Sequence, residues 1–147
     1  MKSVPLRYAA NSIQTGPFGS QLHAEDYAPG GRPVVNPAHI QDGRIVPDPD
    51  CAVDEDTFAR LSQHALEPGD VVLGRRGELG RSAVVSPEQA GWLCGTGSIR
   101  IRTNAEMLDP RWLQCVLSSE AARDWLSLES VGSTMENLGA GIVGSLP

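Results

Sequence analysis

Apolar residues fall along this chain in short runs separated by glycine, proline and polar turns, a pattern that predicts strands first and helices last. Val71-Val72-Leu73 and Ala83-Val84-Val85 are β-branched runs on either side of a glycine- and arginine-rich loop, and they read as the two strands of one hairpin. Pro68-Gly69 supplies the turn that launches the first of them. From Ser98 to Arg102 the alternation is clean: Ile99 and Ile101 point one way, Ser98, Arg100 and Arg102 the other. Pro33-Val34-Val35 reads as a short strand, and Ala38 to Val46 as a hairpin that turns at Asp42-Gly43. Trp92-Leu93-Cys94 is apolar, His23 to Arg32 reads as a polar connection, and Pro47 to Asp50 as an acidic loop.

Helical spacing appears in three places. Glu55 to Leu66 carries Phe58, Leu61 and Ala65 on one face, with Asp54 as N-cap and acids in the first turn, where the helix dipole favours them. Asp109-Pro110 is a second start, N-cap then first helical position, followed by Trp112, Leu113, Val116 and Leu117. Ser119 opens a third, with Ala122, Trp125 and Leu126 inward; Trp112 and Trp125 both read as core. The resulting expectation is an α+β fold: a twisted, mostly antiparallel sheet from the first hundred residues, closed by two or three short C-terminal helices.

At 147 residues and 40% apolar, the chain has enough for one globular domain with a real core. No apolar run approaches transmembrane length, and the first residues lead into no signal-peptide core. Cys51, Cys94 and Cys115 lack any metal-binding or redox spacing and read as reduced, partly buried thiols of a cytoplasmic protein with no membrane attachment. His23, His39 and His64 have no zinc-ligand spacing, so neither metal nor cofactor is expected.

Charge complicates the picture. The net charge of −6 speaks against a generic nucleic-acid binder. Five acids (Asp48, Asp50, Asp54, Glu55 and Asp56) are concentrated in one short stretch, and without them the balance would be −1. Arginine is used eleven times against a single lysine, a bias that suits planar, bidentate recognition and that base composition also explains. A localised basic face is therefore permitted, and an all-round one is excluded.

The candidate chemistry lies in loops and on one strand face. Gly74, Gly77 and Gly80 recur every third residue around Arg75, Arg76 and Arg81. Such a loop lets the backbone approach a surface closely, and guanidinium pairs with phosphate or a guanine edge. The competing reading is a solvated hairpin whose arginines meet nearby carboxylates. Gln14, Thr15, Ser20 and Gln21 offer short groups that donate and accept, as base edges and phosphates require; the alternative is a tight loop pinned by Phe18. Arg100 and Arg102, with Ser98, stand on the polar face of their strand and could line a basic surface. Ser133, Thr134 and Asn137 repeat the small polar chemistry near the C-terminus. Gly95-Thr96-Gly97 is too short for a nucleotide-binding fingerprint.

Taken in order, these segments resemble a known family. Ile13-Gln14-Thr15-Gly16-Pro17-Phe18-Gly19-Ser20-Gln21-Leu22 looks like the opening motif of a target recognition domain from the specificity (S) subunit of type I restriction-modification systems. Gly69-Asp70-Val71-Val72-Leu73 with Arg75-Arg76-Gly77-Glu78-Leu79-Gly80-Arg81 looks like its central hairpin, and Gly95-Thr96-Gly97-Ser98-Ile99-Arg100-Ile101 like the strand after it. Leu108-Asp109-Pro110-Arg111-Trp112-Leu113 and Gly132-Ser133-Thr134-Met135-Glu136-Asn137-Leu138 are similar to the closing helices and loop. The likeness covers almost the whole chain, with five motifs in family order.

The resemblance implies a DNA methylase specificity domain-like fold that reads double-stranded DNA and performs no chemistry. Methyl transfer and cleavage would reside in partner methylation (M) and restriction (R) subunits. It also implies two such domains separated by long spacer helices, whereas these 147 residues hold a single recognition domain and stop where those helices would begin. Residues 1–147 are therefore expected to be half of a bipartite reader, with weak binding on their own. The loops Gln14 to Gln21 and Ser133 to Asn137 are expected to lie together on the DNA-facing side.

Two other classes stay open on the residues alone. One is an acidic protein-interaction module that has lost DNA binding; a continuous basic strip through Arg75, Arg76, Arg81, Arg100 and Arg102 would argue against it, and arginines scattered into local salt bridges would support it. The other is a small hydrolase built on one of the histidines. No Asn-Pro-Pro-Tyr-like methyltransferase motif, paired catalytic carboxylates or nuclease metal cluster is visible, which weighs against an enzyme.

Overall fold

Strand pairing follows the apolar runs. A computed structural model of the protein describes residues 5–17, 21–75, 81–104 and 106–129. The strands are β1 (Ala10–Thr15), β2 (Tyr27–Val35), β3 (Ile40–Gln41), β4 (Arg44–Ile45), β5 (Ala52–Val53), β6 (Val71–Gly74), β7 (Ser82–Val84), β8 (Leu93–Cys94) and β9 (Ser98–Thr103). The helices are α1 (Glu55–Arg60), α2 (Pro110–Leu117) and α3 (Glu120–Glu129).

The fold is α+β, with antiparallel pairing dominant, as the runs predict. Among the described residues its strands are divided among three sheets rather than gathered in one. The largest is four-stranded and antiparallel in the order β1-β9-β6-β7; β5-β2-β8 and the β3-β4 hairpin form the others. Within the second sheet β2 pairs with β8 in parallel, Val34 opposite Leu93 and Val35 opposite Cys94.

Register explains the layers. In the four-stranded sheet Ile101 lies opposite both Ile13 and Val71, and Ile99 opposite Leu73. These side chains form one core with Leu6, and with Leu113, Leu117 and Leu126 from α2 and α3. Each fully buried Leu or Ile contributes about 1.5–3 kcal/mol by leaving water. Val72 and Ala83, on the opposite face, pack with Val35, Ile40, Ile45, Leu66, Val85 and Cys94. A third cluster of Leu22, Val34, Val53, Leu61 and Leu93 joins the second sheet to the segment around α1.

The predicted punctuation holds where local chemistry decides it. Asp54 caps α1 by accepting from the Thr57 amide at 2.8 Å, and Asp109 caps α2 from the Arg111 amide at 2.8 Å. Asp42 and Gly43 both take positive φ, 52° and 75°, the conformation a tight hairpin turn needs. The helix expected to run to Leu66 ends at Arg60 and continues as a 3-10 turn over Ser62–His64.

Three expectations need correcting. Tyr27–Val35 is one long strand although its first half reads as a connection; β2 is irregular between Tyr27 and Arg32, where both face Val53. Trp112 is 65% exposed and not core. The doublets Trp112-Leu113 and Val116-Leu117 allow a stripe centred on either member, and α2 is turned so that Leu113 and Leu117 take the centre. Trp125 does pack on the core. The free thiols differ too: Cys94 is buried, with its pKa pushed up to about 12 by that burial, Cys51 is half-buried, and Cys115 is exposed.

Candidate functional site

Four chain segments converge at one end of the four-stranded sheet. Thr15, the last residue of β1, pairs with Ile99, and Gly74, the last of β6, pairs with Ser98. Leu73 pairs with Ser82 at the start of β7, so Arg75 and Arg81 flank the same edge. Main-chain hydrogen bonds bind the segments together: Gly16 N–H to Ser98 O at 3.0 Å, Arg75 N–H to Gly97 O at 3.0 Å, and Gly74 N–H to Arg81 O at 2.8 Å. Gly16 is required here, because a Cβ at that position would overlap the Gly95 carbonyl. Gly95 is equally constrained, its Cβ position being filled by the Asn36 side chain.

Behind this edge lies a polar cluster on the sheet face opposite the helices. Arg100 is only 6% exposed, and its guanidinium is held on two sides. Nη1 donates to the Gln63 and Ala65 carbonyls at 2.9 and 3.2 Å, while Nη2 donates to Gln14 Oε1 at 2.7 Å and Ser12 Oγ at 3.3 Å. Burial, then the neighbouring Arg102 charge, lowers its pKa. His64 is buried beside it, and burial followed by the Arg100 charge lowers its pKa, which keeps the ring neutral at pH 7.

Arg102 makes a bidentate bridge to the almost fully buried Asp70, Nε to Oδ1 and Nη2 to Oδ2, both at 2.9 Å. The hydrogen bonds that Arg102 donates to Asp70 are the main reason the Arg102 pKa is raised. Asp70 also accepts from the Glu67 amide at 2.8 Å, so the pair ties β9 to the Pro68-Gly69 turn that feeds β6.

The predicted site residues therefore separate into two groups. Gln14 and Thr15, half-buried, stand at the sheet end with Arg75 and Arg81. Ser98, Arg100 and Arg102 share a face as the alternation predicts, but Ser98 and Arg100 are covered and Arg102, partly exposed, is bound to Asp70. Ser98 is fully buried and donates to the Val35 carbonyl at 3.0 Å, and the arginines bond within the fold. A basic strip running continuously through Arg100 and Arg102 is therefore not formed. The cover comes from the Gln63–Ala65 carbonyls, which no local pattern announces. Gln21 is carried toward α1, its carbonyl accepting from Arg60 at 2.7 Å. Ser20, Arg76, Ser133, Thr134 and Asn137 lie outside the described residues, as does the expected meeting of the two polar loops.

Sequence reasoning passed over an open cleft of about 360 Å³ beside Arg81. Gln41, Asp42, Ser118 and Arg123 line it, and Arg123 lies on α3, whose sequence pattern signals only packing. Among the described residues no group of three or more His, Cys, Asp or Glu could hold a metal ion, and no helix is long and apolar enough to cross a membrane.

No protein-family model matches the chain, and no curated protein matches it. Solved structures do. The HsdS subunit from Thermoanaerobacter tengcongensis aligns with a TM-score of 0.66 over 97% of this chain at 21% identity. The fold is that of a type I S subunit. A chain from work on complex assembly and conformational transition of the type I R-M system aligns with the same TM-score, coverage and identity. The S subunit of the type I restriction-modification system of M. genitalium gives a TM-score of 0.61 over 97% of this chain at 14% identity. This chain spans 36% of the first two neighbours and 32% of the third, so the likeness is to a portion of the S-subunit fold.

Proposed function

We propose that this chain is a target recognition domain that reads double-stranded DNA, as half of a specificity subunit of a type I restriction-modification system. The observation that carries the reading is the convergence, on an S-subunit fold, of the ends of β1 and β6 and the starts of β7 and β9 at one sheet end. In this reading Gln14, Thr15, Arg75, Arg76 and Arg81 face DNA, with Arg123 beside Arg81 in the cleft as a phosphate contact. Ser20, Gln21, Ser133, Thr134 and Asn137 supply the flanking polar loops. Ser98, Arg100 and Arg102 hold the frame from beneath. The domain is non-catalytic and acts in the cytoplasm; methylation and restriction subunits would do the chemistry it directs.

Selection from a random duplex library tests this, run on the purified 147-residue chain alone and again with methylation subunits. The expected result is a short enriched sequence, sharper in the second arm, because a lone domain contacts half of a bipartite site. Absence of any enriched sequence in both arms would refute the reading.

A further inference from the structure

Gln14 has two ends of opposite hydrogen-bonding character, and its surroundings decide which one Arg100 holds. Its Oε1 lies 2.7 Å from Arg100 Nη2. A guanidinium has five donors and no acceptor and stays protonated, so only the oxygen of the amide can sit against it. Turning the amide over would set NH2 against a guanidinium and lose the bond. Arg100 itself cannot swing away cheaply, being bonded to the Gln63 and Ala65 carbonyls and to Ser12 Oγ in a nearly closed environment. Among the described residues none accepts a hydrogen bond from Gln14 Nε2. Gln14 is half-buried on β1, the edge strand of its sheet, one residue before the converging end.

We propose that Arg100 is a positioning residue that orients the Gln14 amide so that Nε2 is presented as a donor, making Gln14 the reader of an acceptor on a base edge. Suitable acceptors in the major groove are purine N7, guanine O6 and thymine O4. Cytosine, which presents its N4 donor there, is the base this arrangement disfavours. The inference rests on the DNA-reading function proposed above and assigns Arg100 no contact with DNA of its own.

The test is library selection with the full chain and methylation subunits, comparing wild type, Gln14→Glu and Arg100→Lys. Gln14→Glu keeps an oxygen for Arg100 and removes the outward donor. At one position of the enriched sequence it should cut the preference for the acceptor-bearing base roughly five- to 150-fold, the range for a base-edge contact, and shift it toward cytosine. Arg100→Lys, with folding checked by a cooperative melt, should relax preference at that same position and leave the others unchanged. A purely structural Arg100 would weaken affinity for every sequence alike, and that outcome overturns the proposal. So does a Gln14→Glu variant whose enriched sequence equals the wild type's, a result that leaves the DNA-reading function standing. If Arg100→Lys does not fold, the Gln14→Glu comparison decides alone. A wild-type protein that enriches no sequence overturns both readings.

Discussion

The two faces of the four-stranded sheet are built from the same alternation and stabilised by different means. Against the helices, Ile99, Ile101, Val71 and Leu73 meet Leu113, Leu117 and Leu126 in a wholly apolar contact. On the other face Val72 and Ala83 continue an apolar layer, but under β9 it gives way to Arg100, Arg102 and Asp70. An apolar contact is tolerant of small shifts, since its energy scales with area and has no preferred direction. The polar cluster is directional, because each bond requires its partner at one distance and angle. The lesson is a division of labour: the helix side supplies stability, and the arginine side fixes where the sheet end and its loops point.

The comparison can be broken in several ways. The largest stability loss is expected from Leu117→Ala on the helix side, about 3–5 kcal/mol by chemical denaturation, since it empties a fully buried site. Arg102→Ala should cost about 2–3 kcal/mol, because Asp70, 2% exposed, is left as a buried carboxylate without its bidentate partner. Equal losses from these two variants would erase the distinction between the faces.

A gentler loss should come from acid. The folded-state pKa of His64 lies below its ordinary 6.5, so the unfolded chain takes up the proton first. The stability associated with neutral His64 is present above pH 6.5 and is lost as pH falls below it toward the depressed folded value. Thermal melts from pH 7.5 to 5 should show the decline, and His64→Gln should flatten it; an unchanged slope in that variant would detach His64 from the cluster. The smallest stability change is expected from replacing Arg75 and Arg76 together by Ala, since Arg75 belongs to neither the apolar layers nor the Arg100–Arg102 cluster. DNA binding measured against salt should nonetheless weaken for all duplexes, and the slope should fall by about 2 if each arginine meets a phosphate.

Local chemistry made much of this legible in advance. The Ser98–Arg102 alternation, the Asp54 and Asp109 caps and the Asp42-Gly43 turn are each decided within a few residues, and each appears where expected. What stayed hidden depends on distant partners. The first half of β2, with Pro29, Gly30 and Gly31, has little strand propensity and is a strand because Val53 pairs with it. Trp112 sits beside Leu113, and only packing against the sheet decides which one turns inward. The cover over Arg100 comes from carbonyls more than thirty residues earlier in the chain. An alternating pattern reports which side chains share a face, and nothing in it says whether that face is open.

The crossing of Gly16 over Gly95 is a close backbone joint with no room for a Cβ on either glycine. The β1 exit and the turn before β9 meet there through backbone, and the Asn36 side chain occupies the remaining space at Gly95. Substituting either glycine should disturb every loop at that end at once. For anyone grafting new loop sequences onto this scaffold, Gly16 and Gly95 are the two positions to leave untouched.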